Sequence, residues 1–539
     1  MPETANVPEP DRLRAAVGSG SLSSLLAWRA LERPEHGFLF VEDDPVWTFG
    51  ELAAAAATTD GRLAEDGIAA GSRVLIRIGN DERFVPCLVA AWLRAGVAVP
   101  MHPAAPVDEV RRVVSTLSVD AVLADPEDPV FGADLPVPVL AVPRLEHPAT
   151  VEAVPLTVPA EVSGADPALI LLTSGSTGAP KGVLLTHDNA WSNLRSTVSA
   201  FRSDTGPSPL PDGAKPPNLI ANPVSHTAGV VRLLFALYVG RSIVLLRKFN
   251  GALAKRLVDQ HGIDNLTLNP AMLRMLLDDT EPGDTLGRVR YASSGTAPLT
   301  PALRTAFEER FGIPVLQAYG QTESFGGIAI ESVKDVLAGR RRPGSVGKPL
   351  PGVELRLVDD QGQDVAPGAS GEIWVRSKSA MKGYLTGSDE APTSTGEWLH
   401  TGDLGRFDDD GYLFITGRLK NIIICGGFNI APEEVEAALE SDDRVNEAVV
   451  VSWPDERLGE IPVAVVETSA AGGEVMATVA PKLSAYKRPR KILRVDRLPR
   501  VPNGKVDRPA VLRLVAQAAS STEPGAAELV AAAPGGTAS

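Results

Sequence analysis

Residues 171–182, LLTSGSTGAPKG, constrain this chain more than any other stretch. Glycines, serines and threonines fill positions 173–178, and Lys181 follows them. The apolar run 168–172 leads in, and VLLTH at 183–187 leads out. Such a segment reads as a loop leaving a buried strand. Small residues let backbone N–H groups close around an anion, hydroxyls add donors, and a lysine adds positive charge. The simplest ligand for it is a polyphosphate. The apolar flanks argue against a flexible Gly/Ser surface turn. A Walker-type loop would follow its lysine with serine or threonine, whereas Gly182 follows Lys181 here.

A chain of 539 residues exceeds one ordinary core, so two or more domains are expected. Its 44% apolar and 22% charged content is that of a soluble globular protein. A net charge of −15 argues against nucleic acid as a main partner. With only Cys87 and Cys425, neither a disulfide framework nor a cysteine zinc site is expected. The first residues, MPETANVPEPDRLR, lack the features of a secretory signal. The apolar stretch 230–246 contains Arg232 and Arg241 and falls short of a membrane span. A cytoplasmic location is expected.

Helical patterns at 25–32, 51–66, 84–95 and 107–117 alternate with strand patterns at 74–78 and 97–100. The rhythm returns over 218–261, with a helix expected at 230–238. This predicts βαβ units and a largely parallel sheet. Residues 203–217, rich in proline, read as an irregular exposed loop. From 344 to 415 short strands separated by Gly/Asp/Pro turns predict a small antiparallel unit. An α+β module follows, with helices expected at 432–439 and 474–483. The resulting division is a tail at 1–20, a large domain at 21–416, a connection at 417–420, a small domain at 421–515 and a disordered tail at 516–539.

Further motifs carry chemistry. YGQTE, at 319–323, offers a ring for a base, a threonine for phosphate, and a glutamate for Mg²⁺ with phosphate oxygens completing the shell. TGD, at 401–403, ends in Asp403, suited to a ribose diol, and Arg418 supplies planar donors fifteen residues later. VPNGKVDR, at 501–508, puts Lys505 in a Pro/Gly turn.

Together with SSGTAPL at 293–299, GEIWVR at 371–376 and GRLKNIIICGGFNIAPEEVE at 417–436, these motifs stand in one order over residues 25–515. That ordered set resembles the adenylate-forming superfamily, in its acyl-CoA and aryl-CoA ligase branch. The resemblance implies an α/β fold: a large N-terminal domain of αβαβα layers with a β-barrel-like subdomain, and a small mobile α+β C-terminal domain. It implies ATP, Mg²⁺ and coenzyme A as cofactors. A carboxylate would attack the α-phosphorus of ATP, and a thiol would then attack the acyl-adenylate. No general base is needed first, since a carboxylate is ionised at pH 7.

The roles implied are these. Thr173, Ser174, Gly175, Ser176, Thr177, Gly178 and Lys181 hold the β- and γ-phosphates. Thr322 meets the α-phosphate and Glu323 holds Mg²⁺. Gly295, Thr296, Ala297, Tyr319 and Gly320 frame the adenine, with Thr296 standing where many relatives have glycine. Asp403 and Arg418 bind the ribose. Lys505 neutralises charge at the reacting centre, and His226 lies near the carboxylate. Lys420 is the hinge, followed by Asn421 where many relatives have an acid. Gly426, Gly427 and Phe428 meet the pantetheine arm, and a basic cluster at Lys482, Lys487, Arg488, Arg490 and Lys491 is a candidate for the phosphates of CoA.

The stretch ANPVSHTAGV, at 221–230, has no acid to pair an α-amino group, which disfavours an amino acid substrate. Ala228, Gly229, Val230, Gly326, Gly327 and Ile328 suggest an apolar acyl pocket and a hydrophobic acid. Transfer to an acyl carrier protein and a luciferase-like activity stand as alternatives. A monomer or homodimer is expected, without an integral membrane segment.

Overall fold

The computed structural model describes residues 20–147, 155–174, 180–205, 215–386, 389–391, 394–395, 397–425, 428–455, 457–501, 504–520 and 530–531. Apolar segments expected to be strands are buried on both faces. Arg73–Arg77 lies parallel to Val97–Pro100 and Ala121–Ala124 at the centre of an eight-stranded sheet. Strands β1 (Pro167–Ser174) and β2 (Pro180–Thr186) form an antiparallel hairpin on its flank, and Gly383–Thr386 extends it. Helix α1 (His187–Thr205) follows, so residues 203–205 of the expected loop are helical. Residues 206–214 lie outside the described residues.

A second sheet places Asn265–Leu268, β3 (Tyr291–Ser294) and β4 (Val315–Gln321) in parallel, with β5 (Gly326–Ile330) antiparallel to β4. Its helices are punctuated by their own sequence. Asn250, Asn269 and Thr300 cap Gly251–His261, Pro270–Asp278 and Pro301–Phe311, and Gly262 and Gly312 end the first and last in the left-handed region. The antiparallel unit comprises Val353–Val358, Gly371–Ser377, β6 (Trp398–Phe407) and β7 (Leu413–Arg418).

The small domain has a separate core. Its buried cluster runs from Ile423 to Val515 and draws no residue from earlier in the chain. Among the boundaries that differ from expectation, three have a clear physical cause or bear on the domain division. Helix α2 (Thr227–Val239) begins at Thr227 instead of 230, because apolar periodicity marks the buried stripe and not a polar first turn. The helix expected at 474–483 is Gly472–Val479, and Pro481 then forces a tighter turn at Ala480–Lys482. The last helix, Arg508–Ser520, passes the boundary drawn at 515. Cys87 and Cys425 are both buried free thiols.

His187 opens α1 and is 1% exposed, its Nδ1 accepting a hydrogen bond from the Leu22 amide at 3.1 Å. Burial lowers its pKa to about 4. Above pH 6.5 it is neutral folded or unfolded. Between pH 6.5 and 4 only the unfolded chain takes up the proton, so stability falls as pH falls, by about 3 kcal/mol for this residue. Urea midpoints measured from pH 7 to 4 are expected to drop, and His187→Gln to flatten that slope.

Candidate active site

The hairpin β1–β2 sets Thr173 opposite Lys181 and Ser174 opposite Pro180, so the two described ends of the phosphate-loop motif are anchored in the sheet. Gly175, Ser176, Thr177 and Gly178 lie outside the described residues. The Lys181 ammonium stands 5.2 Å over the ring of Tyr384. The Tyr384 hydroxyl donates to Glu323 Oε1 at 2.5 Å, and the Met381 amide donates to the Glu323 carbonyl at 2.8 Å. Tyr384 therefore links the phosphate-loop lysine to the candidate metal ligand. The sequence reading missed it: its strand is short, and it reaches the site only because residues 383–385 pair with 182–184 of β2. Among the described residues no three His, Cys, Asp or Glu side chains cluster to hold a metal. A magnesium ion here would depend on Glu323 and on phosphate oxygens of the substrate, a donor set this ion accepts.

Asp403 and Arg418 are separated by fifteen residues but are direct cross-strand partners between β6 and β7. Arg418 Nε lies 3.0 Å from Asp403 Oδ1, and the Tyr319 hydroxyl donates to Asp403 Oδ2 at 2.8 Å. Burial raises the Asp403 pKa, opposed by Arg418 and by the Tyr319 bond. Burial also raises Tyr319, with the Asp403 charge adding to it. Tyr319 is on β4, whose neighbour β3 ends at Ser294, so Gly295, Thr296 and Ala297 emerge beside Ala318 and Tyr319. Thr296 adopts φ = 70°, a region that β-branched residues avoid. Gly320 lies in the last residues of β4, opposite Gly327 of β5.

Thr322 follows at the end of β4, and its hydroxyl meets that of Thr227 at 2.7 Å. This contact joins YGQTE to the start of α2 and to His226, which caps that helix. The His226 ring stacks on His102, centroids 6.3 Å apart. Burial, helped by His102 and Lys505, lowers His226 to about 4, so it is neutral at pH 7. His102 was not singled out from sequence, since nothing near it has a motif's spacing. The approach to His226 is held by Asn80, which is 8% exposed. Its amide donates to the carbonyls of Asn222 (3.1 Å) and Leu246 (2.8 Å), and its Oδ1 accepts from the Val224 amide (2.8 Å). A Cβ on Gly229 would fall 2.2 Å from the Pro223 carbonyl oxygen, so only glycine lets α2 dock against this turn. Asn80→Ala strands three buried backbone groups. It is expected to cost about 2 kcal/mol in urea unfolding and to lower adenylation, measured as pyrophosphate release.

The small domain brings Lys505. Gly504, at φ = 84°, makes a turn in which the Val501 amide donates to the Lys505 carbonyl at 2.9 Å. A Cβ on Gly504 would meet Ala271 and Asn269 at 3.2–3.3 Å, so the turn rests on the N-terminus of a large-domain helix. Pro502 and Asn503 lie outside the described residues. Burial, then Arg418, lower the Lys505 pKa, and Glu323 and Asp403 oppose them. The side chain keeps solvent access while feeling all these charges. Sequence separation of more than 180 residues is thus closed by one turn.

Lys420 lies in the short turn Leu419–Asn421 between the domains, and Asn421 donates to Glu433 Oε1 at 3.2 Å. Phe428 is 56% exposed and stacks on Tyr486 with centroids 4.7 Å apart. Gly426 and Gly427 lie outside the described residues. Part of the basic cluster is committed within the small domain: Lys487 pairs with Glu434 at 2.6 Å, Lys482 donates to Ser441 Oγ at 2.7 Å, and Arg488 donates to the Leu483 carbonyl at 3.1 Å.

The six residues expected to line an acyl pocket do not share one surface. Val230 is fully buried in the large core, about 200° around α2 from Ala228. Gly229 faces Pro223. Ile328 sits at a register shift of β5 and packs into the core of the antiparallel unit. Ala228, Gly326 and Gly327 remain half-buried beside Thr227 and Thr322.

The family model described as AMP-binding enzyme matches residues 26–385, and that of the AMP-binding enzyme C-terminal domain matches 434–505. The chain is 34% identical to sulfoacetate–CoA ligase of Cupriavidus necator over 510 residues, 90% of this chain and 96% of the relative. Among solved structures it resembles ATP-bound MatB from Rhodopseudomonas palustris (TM-score 0.81, 27% identity, 93% of this chain and 100% of the other). It also resembles o-succinylbenzoate CoA synthetase from Bacillus subtilis with its acyl-adenylate intermediate (TM-score 0.78, 28% identity, 94% and 99%). In order, architecture and site geometry alike, the chain belongs to the AMP-binding enzyme family.

Proposed function

We propose that this protein is an ATP-dependent acid–CoA ligase. The observation that carries the reading is the docking of the Gly504–Lys505 turn of the small domain on Asn269 and Ala271, within electrostatic reach of Glu323, Asp403, Arg418 and His226. A carboxylate oxygen attacks the α-phosphorus, the bond to the β-phosphate breaks, and pyrophosphate leaves. The coenzyme A sulfur then attacks the acyl carbon, AMP leaves, and the thiol proton passes to solvent. Catalysis rests on alignment and charge stabilisation. Magnesium, when bound, supplies charge neutralisation of the phosphates.

The chain's residues divide the work. Thr173, Ser174 and Lys181, with Gly175–Gly178 of the same loop, grip the departing pyrophosphate. Thr322 and Thr227 flank the α-phosphate. Gly295–Ala297, Tyr319 and Gly320 receive the adenine, and the Asp403–Arg418 pair receives the ribose. Neutral His226 donates to the substrate carboxylate. Lys505 bridges carboxylate and α-phosphate, and so blocks the path of a thiol. Rotation of the small domain about Lys420 would clear that path and bring Phe428, with Gly426 and Gly427, to the pantetheine arm.

A screen of carboxylic acids for pyrophosphate release, with and without CoA and with the thioester detected by mass, tests this. An acid-dependent release that yields acyl-CoA is the expected result. Release without thioester, with transfer to a phosphopantetheinyl carrier protein, would replace CoA as acceptor.

A further inference from the structure

One face of α2 runs from the reacting centre into the protein, and it carries a cation. Thr227, Ala228, Val231, Arg232 and Phe235 are the half-buried residues along this part of the helix, and those between them are buried. Thr227 meets Thr322 at one end of the stripe. Val231 lies 3.5 Å from where a Cβ on Gly326 would stand. Phe235 packs edge-on against Phe201 of α1, centroids 6.5 Å apart. The stripe is thus enclosed by α1 and β5. The side chains of the stripe keep partial solvent access between these elements.

Arg232 is one turn beyond Ala228, about 6 Å farther from the reacting centre. Its surroundings are dense: burial lowers the guanidinium to about 10, and Tyr291 is the ionisable group coupled to it. It is therefore charged at pH 7. The arginines buried more deeply than this one have carboxylates: Arg29 has Glu32, Arg77 has Asp128, Arg83 has Asp81, and Arg304 has Glu331. Among the described residues, none pairs with Arg232. A guanidinium half withdrawn from water without a counter-ion is unfavourable, and its planar fork matches carboxylate or sulfonate oxygens. The missing anion is supplied if the ligand carries it.

We propose that Arg232 binds a second anionic group, a carboxylate or sulfonate, at the far end of the acid that is activated. Ala228, Val231 and Phe235 then hold its apolar middle. This inference rests on the acid–CoA ligase reading, and it replaces the expectation of a purely hydrophobic acid.

The test compares full-length protein with Arg232→Met and Arg232→Lys. The acids are succinate, glutarate, adipate and terephthalate, 3-sulfopropionate and 4-sulfobutyrate, and the matched monoacids butyrate, pentanoate, hexanoate and benzoate. Pyrophosphate release with CoA gives kcat/KM for each. A doubly anionic acid should exceed its matched monoacid by roughly 10- to 100-fold. Arg232→Met should erase that preference, mainly through KM, without lowering the melting temperature, and Arg232→Lys should restore part of it. The sulfonate and dicarboxylate arms identify the tail. If monoacids are used as well or better, or if Arg232→Met keeps the preference, the proposal is overturned and the ligase reading stands. If no acid elicits pyrophosphate release, the ligase reading fails and the proposal falls with it.

Discussion

Lys505→Ala is expected to slow adenylate formation by about 10²- to 10³-fold, the cost of removing one preorganised charge from a reacting centre. Thioester formation from a supplied acyl-adenylate should stay within a few-fold of the parent. The asymmetry follows from position. The Gly504 turn rests on Asn269 and Ala271 of the large domain, which places the lysine among Glu323, Asp403 and Arg418. In the proposed cycle those contacts belong to one arrangement of the two domains, and the thiol step requires another. Binding of ATP alone, followed by equilibrium titration, should change far less than the rate. The measurement is single-turnover pyrophosphate release beside acyl transfer from synthetic adenylate. Normal adenylation by the variant would remove Lys505 from the chemistry.

Asp403→Asn should raise KM for ATP by roughly 10- to 100-fold and leave KM for the acid nearly unchanged. The carboxylate accepts from both Tyr319 and Arg418. An amide in its place turns one acceptor into a donor facing Arg418, and loses the charge that a ribose diol would bond. Tyr319→Phe should show a weaker form of the same defect, because it removes one partner and leaves the ion pair. Burial raises the Asp403 pKa, so in the parent the KM for ATP should climb on acidification at a higher pH than an exposed aspartate would require. Initial rates over an ATP–pH grid measure both effects. Equal increases in both Michaelis constants would point to a general loss of structure instead.

The large domain's alternation was legible because strands buried on both faces must be short apolar runs, and helices advertise their caps. Asn250, Asn269 and Thr300 each start a helix by bonding its third amide. The first turn of α2 was not legible, since Thr227, Ala228 and Gly229 carry no apolar period. Ile328 was misplaced for a related reason: a register shift in β5 moves a side chain to another face, and such a shift leaves no mark in composition. Tyr384 and His102 were invisible because their roles come from strand pairing and ring stacking with distant segments.

The sequence by itself determined the family, and it marked the phosphate-loop motif and the candidate nucleotide residues, because those depend on local spacing and on chemistry that few side chains offer. Tertiary structure decided which of them meet. It paired Asp403 with Arg418 across two strands, linked Lys181 to Glu323 through Tyr384, and carried Lys505 across the domain boundary. It also decided the phase of α2, which buries Val230 and turns Arg232 onto the half-buried face. A residue's type is written in the chain, but the face it occupies is fixed only when its helix is docked.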